Sequence, residues 1–436
     1  MNNLITSEET HPRWRSIVFA ILFAEGLTVG AFAVTVPVLA FILSDLFGLE
    51  GSELIRWNSR IFIVASIGMA IFSPIWGTLA DRLGKRLMLV RAMLGGMIVV
   101  FLMTFVQSPT QLVVLRALQG AFTGSIAAAT VLILAFTPKS HSATMLALLQ
   151  VAIMAGNSLG PLIGGWLYDV LKEWDHSSNL QLAGRVNFLF TSMLLGCSAI
   201  IVIKFVPKDT VKSKKDRATG KSLFRPDFSA LKTNAILPTL LLVTFVVSVA
   251  FSIVNPVFPL FIKSILPSAA NLGRTSGIIT GSAALAVALG AITFARLGRI
   301  FPMERLILIA ITGAAIFYIP QVYSHNWQML LTFRLLESFF VGGITPGISY
   351  LLSTHTPSEK HGSVFGLSAS LNAVGTALGP ALGAVIAQHY TLPSVFITGS
   401  GLLLSLVIIL TMTSRVTTYR EKKRLQLLEQ NESSKE

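Results

Sequence analysis

Long apolar runs separated by short polar stretches make up most of the chain. Twelve of them recur, over residues 16–43, 58–80, 87–106, 110–137, 142–168, 184–206, 234–264, 272–298, 303–323, 327–354, 360–389 and 392–414. A helix rises 1.5 Å per residue, so about 20 residues cross a hydrocarbon core of ~30 Å. The pattern predicts an all-α integral membrane protein with twelve transmembrane helices. The longer runs are expected to tilt or to overshoot the bilayer.

Composition agrees with this reading. Only 12% of the 436 residues are charged and 53% are hydrophobic, with a mean hydropathy of +0.71; soluble domains carry roughly 25% charge. The first run resembles a signal peptide at first sight, with Arg13 and Arg15 before it and Ala31-Phe32-Ala33 after its centre. Glu25 interrupts it, however, and the apolar stretch continues to Leu43, so the segment is expected to remain as a span. Cys197 is the single cysteine, which excludes a disulfide within the chain.

The net charge of +14 would suggest nucleic acid in a soluble protein. Here the charge is sorted by side. With the N-terminus inside, the inner loops receive Arg13, Arg15, Arg82, Lys85, Arg86, Arg91, Lys139, the run from Lys204 to Lys232, Arg296, Arg299, Arg305, Lys360 and the tail from Arg415. The outer loops receive Arg56, Arg60, Lys172, Arg185, Lys263 and Arg274. This asymmetry and the even helix number place both termini in the cytoplasm. It accounts for the charge without a nucleic-acid partner.

The chain also repeats itself. A shift of 219 residues lays Pro37 on Pro256, Arg86 on Arg305 and Pro138 on Pro357. It also lays Gly156, Gly160, Pro161 and Gly164 on Gly375, Gly379, Pro380 and Gly383. Arg116 matches Arg334 with one residue of slip. The expected organisation is a six-helix bundle over 1–206, a polar Lys-rich linker over 207–233, a second bundle over 234–414 and a cytoplasmic tail over 415–436. Six helices per repeat keep the two bundles parallel.

Three stretches carry chemistry. GTLADRLGKR (77–86) lies between the second and third runs. Gly77 allows close helix approach, Gly84 a tight turn, and Asp81 can pair with a helix N-terminus or a cation. Arg82, Lys85, Arg86 and Arg91 surround it. The matching segment of the second half, ARLGRIFPMERLIL, has no Asp at that place, so a latch here would be one-sided. In the fourth run, Arg116 lies in LVVLRALQGAFTG; a charge at that depth costs at least ~2.5–3.5 kcal/mol on insertion scales and needs a partner. The intramembrane carboxylates are Glu25 and Glu337. Glu337 follows Arg334 by three residues, on one helix face, and the two are expected to neutralise each other. Glu25 has no partner in its own helix. It is the leading candidate for a protonatable group tuned by Arg116, against a static pair with Arg116 or a contact to a cationic substrate. The third stretch, GNSLGPLIGG (156–165), sets Gly156, Gly160, Pro161, Gly164 and Gly165 in the fifth run. Glycines four apart make a contact face, and Pro161 removes a helix hydrogen bond and is expected to bend the span.

These stretches resemble the loop signature, the fourth-helix arginine pattern and the antiporter motif of the major facilitator superfamily, and the resemblance covers nearly the whole chain. It implies the major facilitator fold, two parallel six-helix bundles with a site between them that works by alternating access. The 77–86 segment is then a cytoplasmic gate, Arg116 is tied to proton transfer, and the glycine motif marks export. Overall the chain is similar to the twelve-helix drug–proton antiporters of bacterial inner membranes. The expected function is export of small amphipathic molecules or drugs in exchange for protons. The alternatives are export of an endogenous metabolite such as a siderophore, or proton-coupled import of sugars or organic acids. No enzyme activity, cofactor or metal site is expected, since no P-loop and no metal-like His spacing occur. The expected partners are the substrate, protons and the lipid bilayer, and the expected unit is a monomer.

Overall fold

The computed structural model describes residues 12–122, 124–174, 181–207, 236–266, 271–356 and 361–412, without the side chains of 73–74, 77–78, 80–83, 143 and 361–363. The described residues are almost entirely helical and contain no strand. The spans are α1 Trp14–Phe47, α2 Gly51–Leu83, α3 Lys85–Met103, α4 Pro109–Phe136, α5 Ser142–Trp174 and α6 Leu182–Phe205. They continue as α7, in two pieces Ile236–Ser252 and Phe258–Ile265, then α8 Leu272–Leu297, α9 Met303–Val322, α10 Trp327–His355, α11 His361–His389 and α12 Ser394–Met412. All but α7 contain a stretch long and apolar enough to cross a membrane, α4 only as its two pieces taken together. The run expected at 234–264 is therefore corrected to two shorter helices.

The reason lies in the local sequence. Asn255-Pro256 interrupts α7, and Val36-Pro37-Val38 forms a 3₁₀ turn that splits α1 into Trp14–Val34 and Leu39–Phe47. Proline lacks the N–H that would continue the helix and constrains the residue before it. The two breaks are the same break, since Pro37 and Pro256 are related by the 219-residue shift. A third break has no echo. Gly124, at φ 107°, divides α4 into Pro109–Phe122 and Ser125–Phe136, whereas α10 runs on through Gly343. By contrast α5 continues as a helix through Pro161; the interruptions fall elsewhere than at the proline of the glycine motif.

The buried apolar residues separate into three clusters. One fills the second half from Leu237 to Leu406 and takes in Ile55 of α2. The other two lie mainly in the first half, one around Val38, Phe41, Phe188 and Tyr168, which takes in Leu272 of α8, the other around Ile17, Leu89, Leu132 and Val202. Phe19, Phe23, Leu102, Ile200 and Leu289 face outward, as surfaces in contact with lipid tails do. Buried Ser and Thr hydroxyls donate to carbonyls one turn back, as in Thr28 to Ala24 and Ser248 to Thr244, which satisfies them without a second helix. The expected linker lies outside the described residues beyond Pro207, and the tail from 415 lies outside them entirely.

Candidate functional site

Inner and outer denote here the sides on which Trp14 and Phe47 lie. Helix α5 has two small-residue faces. A Cβ on Gly156, Gly160 or Gly164 would strike the α1 backbone at Gly26, Gly30 and Val34 respectively, so these glycines pack α5 against α1 within the first half. Ser158, Pro161 and Gly165 turn the other way. Their backbones meet Gly281, Gly277 and Gly273 of α8, which belongs to the second half. The ten-residue motif is thus one backbone contact within a half and another between halves. The repeat-related glycines Gly375, Gly379 and Gly383 pack α11 against α7 in the same way, at Phe245, Ser252 and Ile253.

On the outer side the halves are tied by hydrogen bonds. Each break frees a carbonyl that the opposite half uses. Ser276 of α8 donates to Pro37 O at 2.8 Å, and Asn58 of α2 donates to Pro256 O at 2.7 Å. Asp169 of α5 accepts from the backbone N–H of Gly273 and Arg274, at 2.9 and 2.7 Å. Ser276, Asn58 and Asp169 were not singled out from the sequence. The signal available was the repeat: two prolines at one offset mark paired carbonyls in need of donors.

Inward of these ties lie two adjoining cavities, the first of them at the level of the α1 break. One, of about 400 Å³, is lined by the α1 break and by Ser252, Tyr318, Arg334, Glu337 and Asn372. The other, of about 870 Å³, lies between the inner halves of α2 and α11 and shares Val247, Ser248, Thr345 and Asn372 with the first. Both fall within the 300–1,000 Å³ range of small-molecule sites. Arg334 and Glu337 are joined at 3.1 Å, with the guanidinium over the Phe258 ring at 4.8 Å. The two side chains are within ion-pair distance on one helix face, and they also form a wall of the cavity, which sequence spacing alone did not indicate.

The expected neighbourhood of Glu25 and Arg116 is corrected. Arg116 donates to Gln119 Oε1 at 3.1 Å and to Thr35 Oγ1 at 3.2 Å, and no ion pair joins it to Glu25. Glu25 is fully buried and accepts from Ser125 Oγ at 2.8 Å, while its second oxygen lacks a hydrogen-bond partner. Ser125 opens the second piece of α4, so the carboxyl group sits beside a helix N-terminus, the positive end of its dipole. The α4 break, absent from the repeat mate, builds this environment. Thr35 lies ten residues beyond Glu25, about 15 Å along a helix, which sets Arg116 at a different depth.

In the 77–86 segment, Gly84 adopts φ 98° between α2 and α3, the tight turn expected of it. Arg86 donates to Ile203 O at 2.7 Å, near the end of α6, and Arg91 lies 3.7 Å over the Trp76 ring. The side chains of Asp81 and Arg82, and the surroundings of Gly77, lie outside what is described; Lys85 begins α3. Among the described residues no group of three or more His, Cys, Asp or Glu side chains could hold a metal ion.

The profile of the Major Facilitator Superfamily matches residues 18–266 and 240–435. The chain belongs to that superfamily. It is 31% identical over 386 residues to the multidrug resistance protein MdtG of Proteus mirabilis, covering 88% of this chain and 92% of that protein. It is 28% identical over 396 residues to the MdtG of an Escherichia coli strain, covering 91% and 94%. Its fold matches the crystal structure of the nucleoside transporter NupG with a TM-score of 0.75 at 12% identity, over 91% of this chain and 98% of that one. It also matches a bacterial homologue of the lysosomal transporter Spinster, in an inward-facing and unoccupied conformation, with a TM-score of 0.67 at 15% identity, over 92% and 96%. As a member of this superfamily the chain is a multi-pass membrane transporter, with a small molecule as its substrate.

Proposed function

We propose that the chain exports amphipathic small molecules, drugs among them, across a bacterial inner membrane in exchange for protons. The observation that carries the proton reading is the environment of Glu25: a fully buried carboxyl group with one hydroxyl partner and, among the described residues, no cation paired with it. A proton on it leaves no uncompensated buried charge, and its loss creates one, so occupancy of this site biases the packing of α1 against α4 and α5. Drug export is supported by the similarity along nearly the full chain to proteins named for multidrug resistance. The glycine face of α5, which seats the antiporter-like motif against both α1 and α8, supports exchange.

In this reading the halves over 1–206 and 234–414 rock about the cavity as a monomer, with both termini cytoplasmic. The structure then corresponds to the form open to the cytoplasm, in which substrate enters between α2 and α11 and meets Arg334, Glu337, Tyr318 and Asn372. Arg116 holds the outer part of α4 to Thr35 at the α1 break, and the 77–86 loop closes the inner side. A proton moving inward through 100 mV releases about 2.3 kcal/mol, enough for a roughly 50-fold substrate gradient. Inside-out vesicles with an acid interior are expected to accumulate a fluorescent amphipathic drug, and Glu25→Gln to abolish the accumulation while the protein remains in the membrane. Accumulation that ignores the imposed gradient would overturn proton exchange. Accumulation confined to right-side-out vesicles would overturn export.

A further inference from the structure

Asp169 stands one helical turn beyond Gly165, on the face of α5 that meets the other half. It is 4% exposed. Its two carboxylate oxygens take the second and third backbone N–H groups of α8, those of Gly273 and Arg274. Those donors have no acceptor within their own helix, and a carboxylate at a helix N-terminus gains both charge-assisted hydrogen bonds and the dipole. The close approach that permits this is a glycine contact: a Cβ on Gly273 would meet Gly165 O at 2.5 Å and Asp169 Oδ1 at 2.8 Å. Asn271, at φ 64°, turns the chain into α8 at this point.

The charged surroundings are otherwise spoken for. The Arg274 side chain reaches Glu173 at 3.7 Å and Asn271 at 3.3 Å. Asp45 accepts from the Tyr168 hydroxyl and lies 3.5 Å from Lys172. Asp169 is thus the carboxylate of this cluster committed across the boundary between halves to backbone donors. Among the described residues the other seam shows no such carboxylate contact. The repeat-related residue, 219 positions on, is Gln388, and it borders a cavity of about 600 Å³ between the start of α2 and the end of α11, lined also by Glu50, Lys263 and Tyr390.

We propose that Asp169 is the outer latch of the transport cycle, a positioning residue that holds α5 to the N-terminus of α8 and so keeps the outer side shut while the inner side is open. The outward-open form needs α5 and α8 to part, and those two N–H bonds must then be exchanged for water. The proposal rests on the halves rocking as in the proposed function, but on neither the substrate nor the coupling ion, so failure of proton exchange in vesicles leaves its test intact.

The test is a distance across the outer rim. Spin labels at Trp174→Cys and Tyr390→Cys, both exposed and in opposite halves, are placed on a Cys197→Ser background in lipid nanodiscs and measured by double electron–electron resonance. The parent is expected to show one dominant short-distance population. Asp169→Ala is expected to raise the ratio of the longer, outward-open population about tenfold, and Asp169→Asn, which keeps one acceptor but not the charge, about threefold. If the Ala variant does not accumulate, the Asn variant alone carries the test. An unchanged distance distribution, with or without a lowered melting temperature, would overturn the proposal, because a merely structural carboxylate alters melting and not the balance of the two populations.

Discussion

Glu25 and Arg116 show how depth and rotation together decide what a buried charge meets. Each is deep in its span, but Arg116 faces Thr35 and Gln119, and Glu25 faces Ser125. Sequence supplies the depth of a residue along one helix; the offset between two helices depends on where α1 and α4 break. Arg334 and Glu337 share one helix, so their spacing alone predicts their pairing at 3.1 Å. Removing one member of a buried pair strands the other, at about 3–5 kcal/mol, while apolar replacement of both is often neutral. Arg334→Leu is therefore expected to lower thermal stability in detergent markedly. Arg334→Leu with Glu337→Leu is expected to restore most of it, as read by melting of the purified protein. Neither variant is expected to regain transport, because the pair also lines the cavity. A double variant as unstable as the single one would contradict this account of the pair.

At the level of elements, the twelve spans and the parallel repeat were legible because hydropathy and a 219-residue offset are long-range, redundant signals. The two proline breaks are encoded as well, at Pro37 and Pro256, yet a run of apolar residues conceals them. What could not be read was the division of labour within the glycine motif. Gly164 and Gly165 are neighbours in sequence and about 100° apart around a helix of 3.6 residues per turn, so one meets Val34 of α1 and the other Gly273 of α8. Gly164→Ala is expected to overpack the first half, costing about 1–3 kcal/mol and lowering its melting temperature. Gly165→Ala is expected to act at the seam instead. Its methyl would strike the Gly273 backbone, so it is expected to destabilise the outer-closed form relative to the outward-open one, seen as a larger loss in transport rate than in melting temperature. The second half carries Ala384 at the echo of Gly165, next to a seam that lacks the Asp169 contact. Equal effects of the two alanine variants on both readouts would remove the distinction between the faces.

For the whole molecule, the outer side closes through backbone carbonyls freed at two breaks and one carboxylate, and the inner side opens into cavities lined mainly by the second half. In the proposed cycle proton chemistry lies in the first half, at Glu25, and substrate contact largely in the second, so exchange would depend on the halves moving as coupled bodies. Coupling of this kind is reciprocal. The most direct measurement is of proton movement in proteoliposomes that hold a pH-sensitive dye and no imposed pH gradient. An outwardly directed gradient of a transported amphipathic drug is expected to draw protons inward and acidify the lumen, and Glu25→Gln is expected to abolish the signal. Drug efflux with no change in luminal pH, or with alkalinisation, would contradict the exchange of drug for proton.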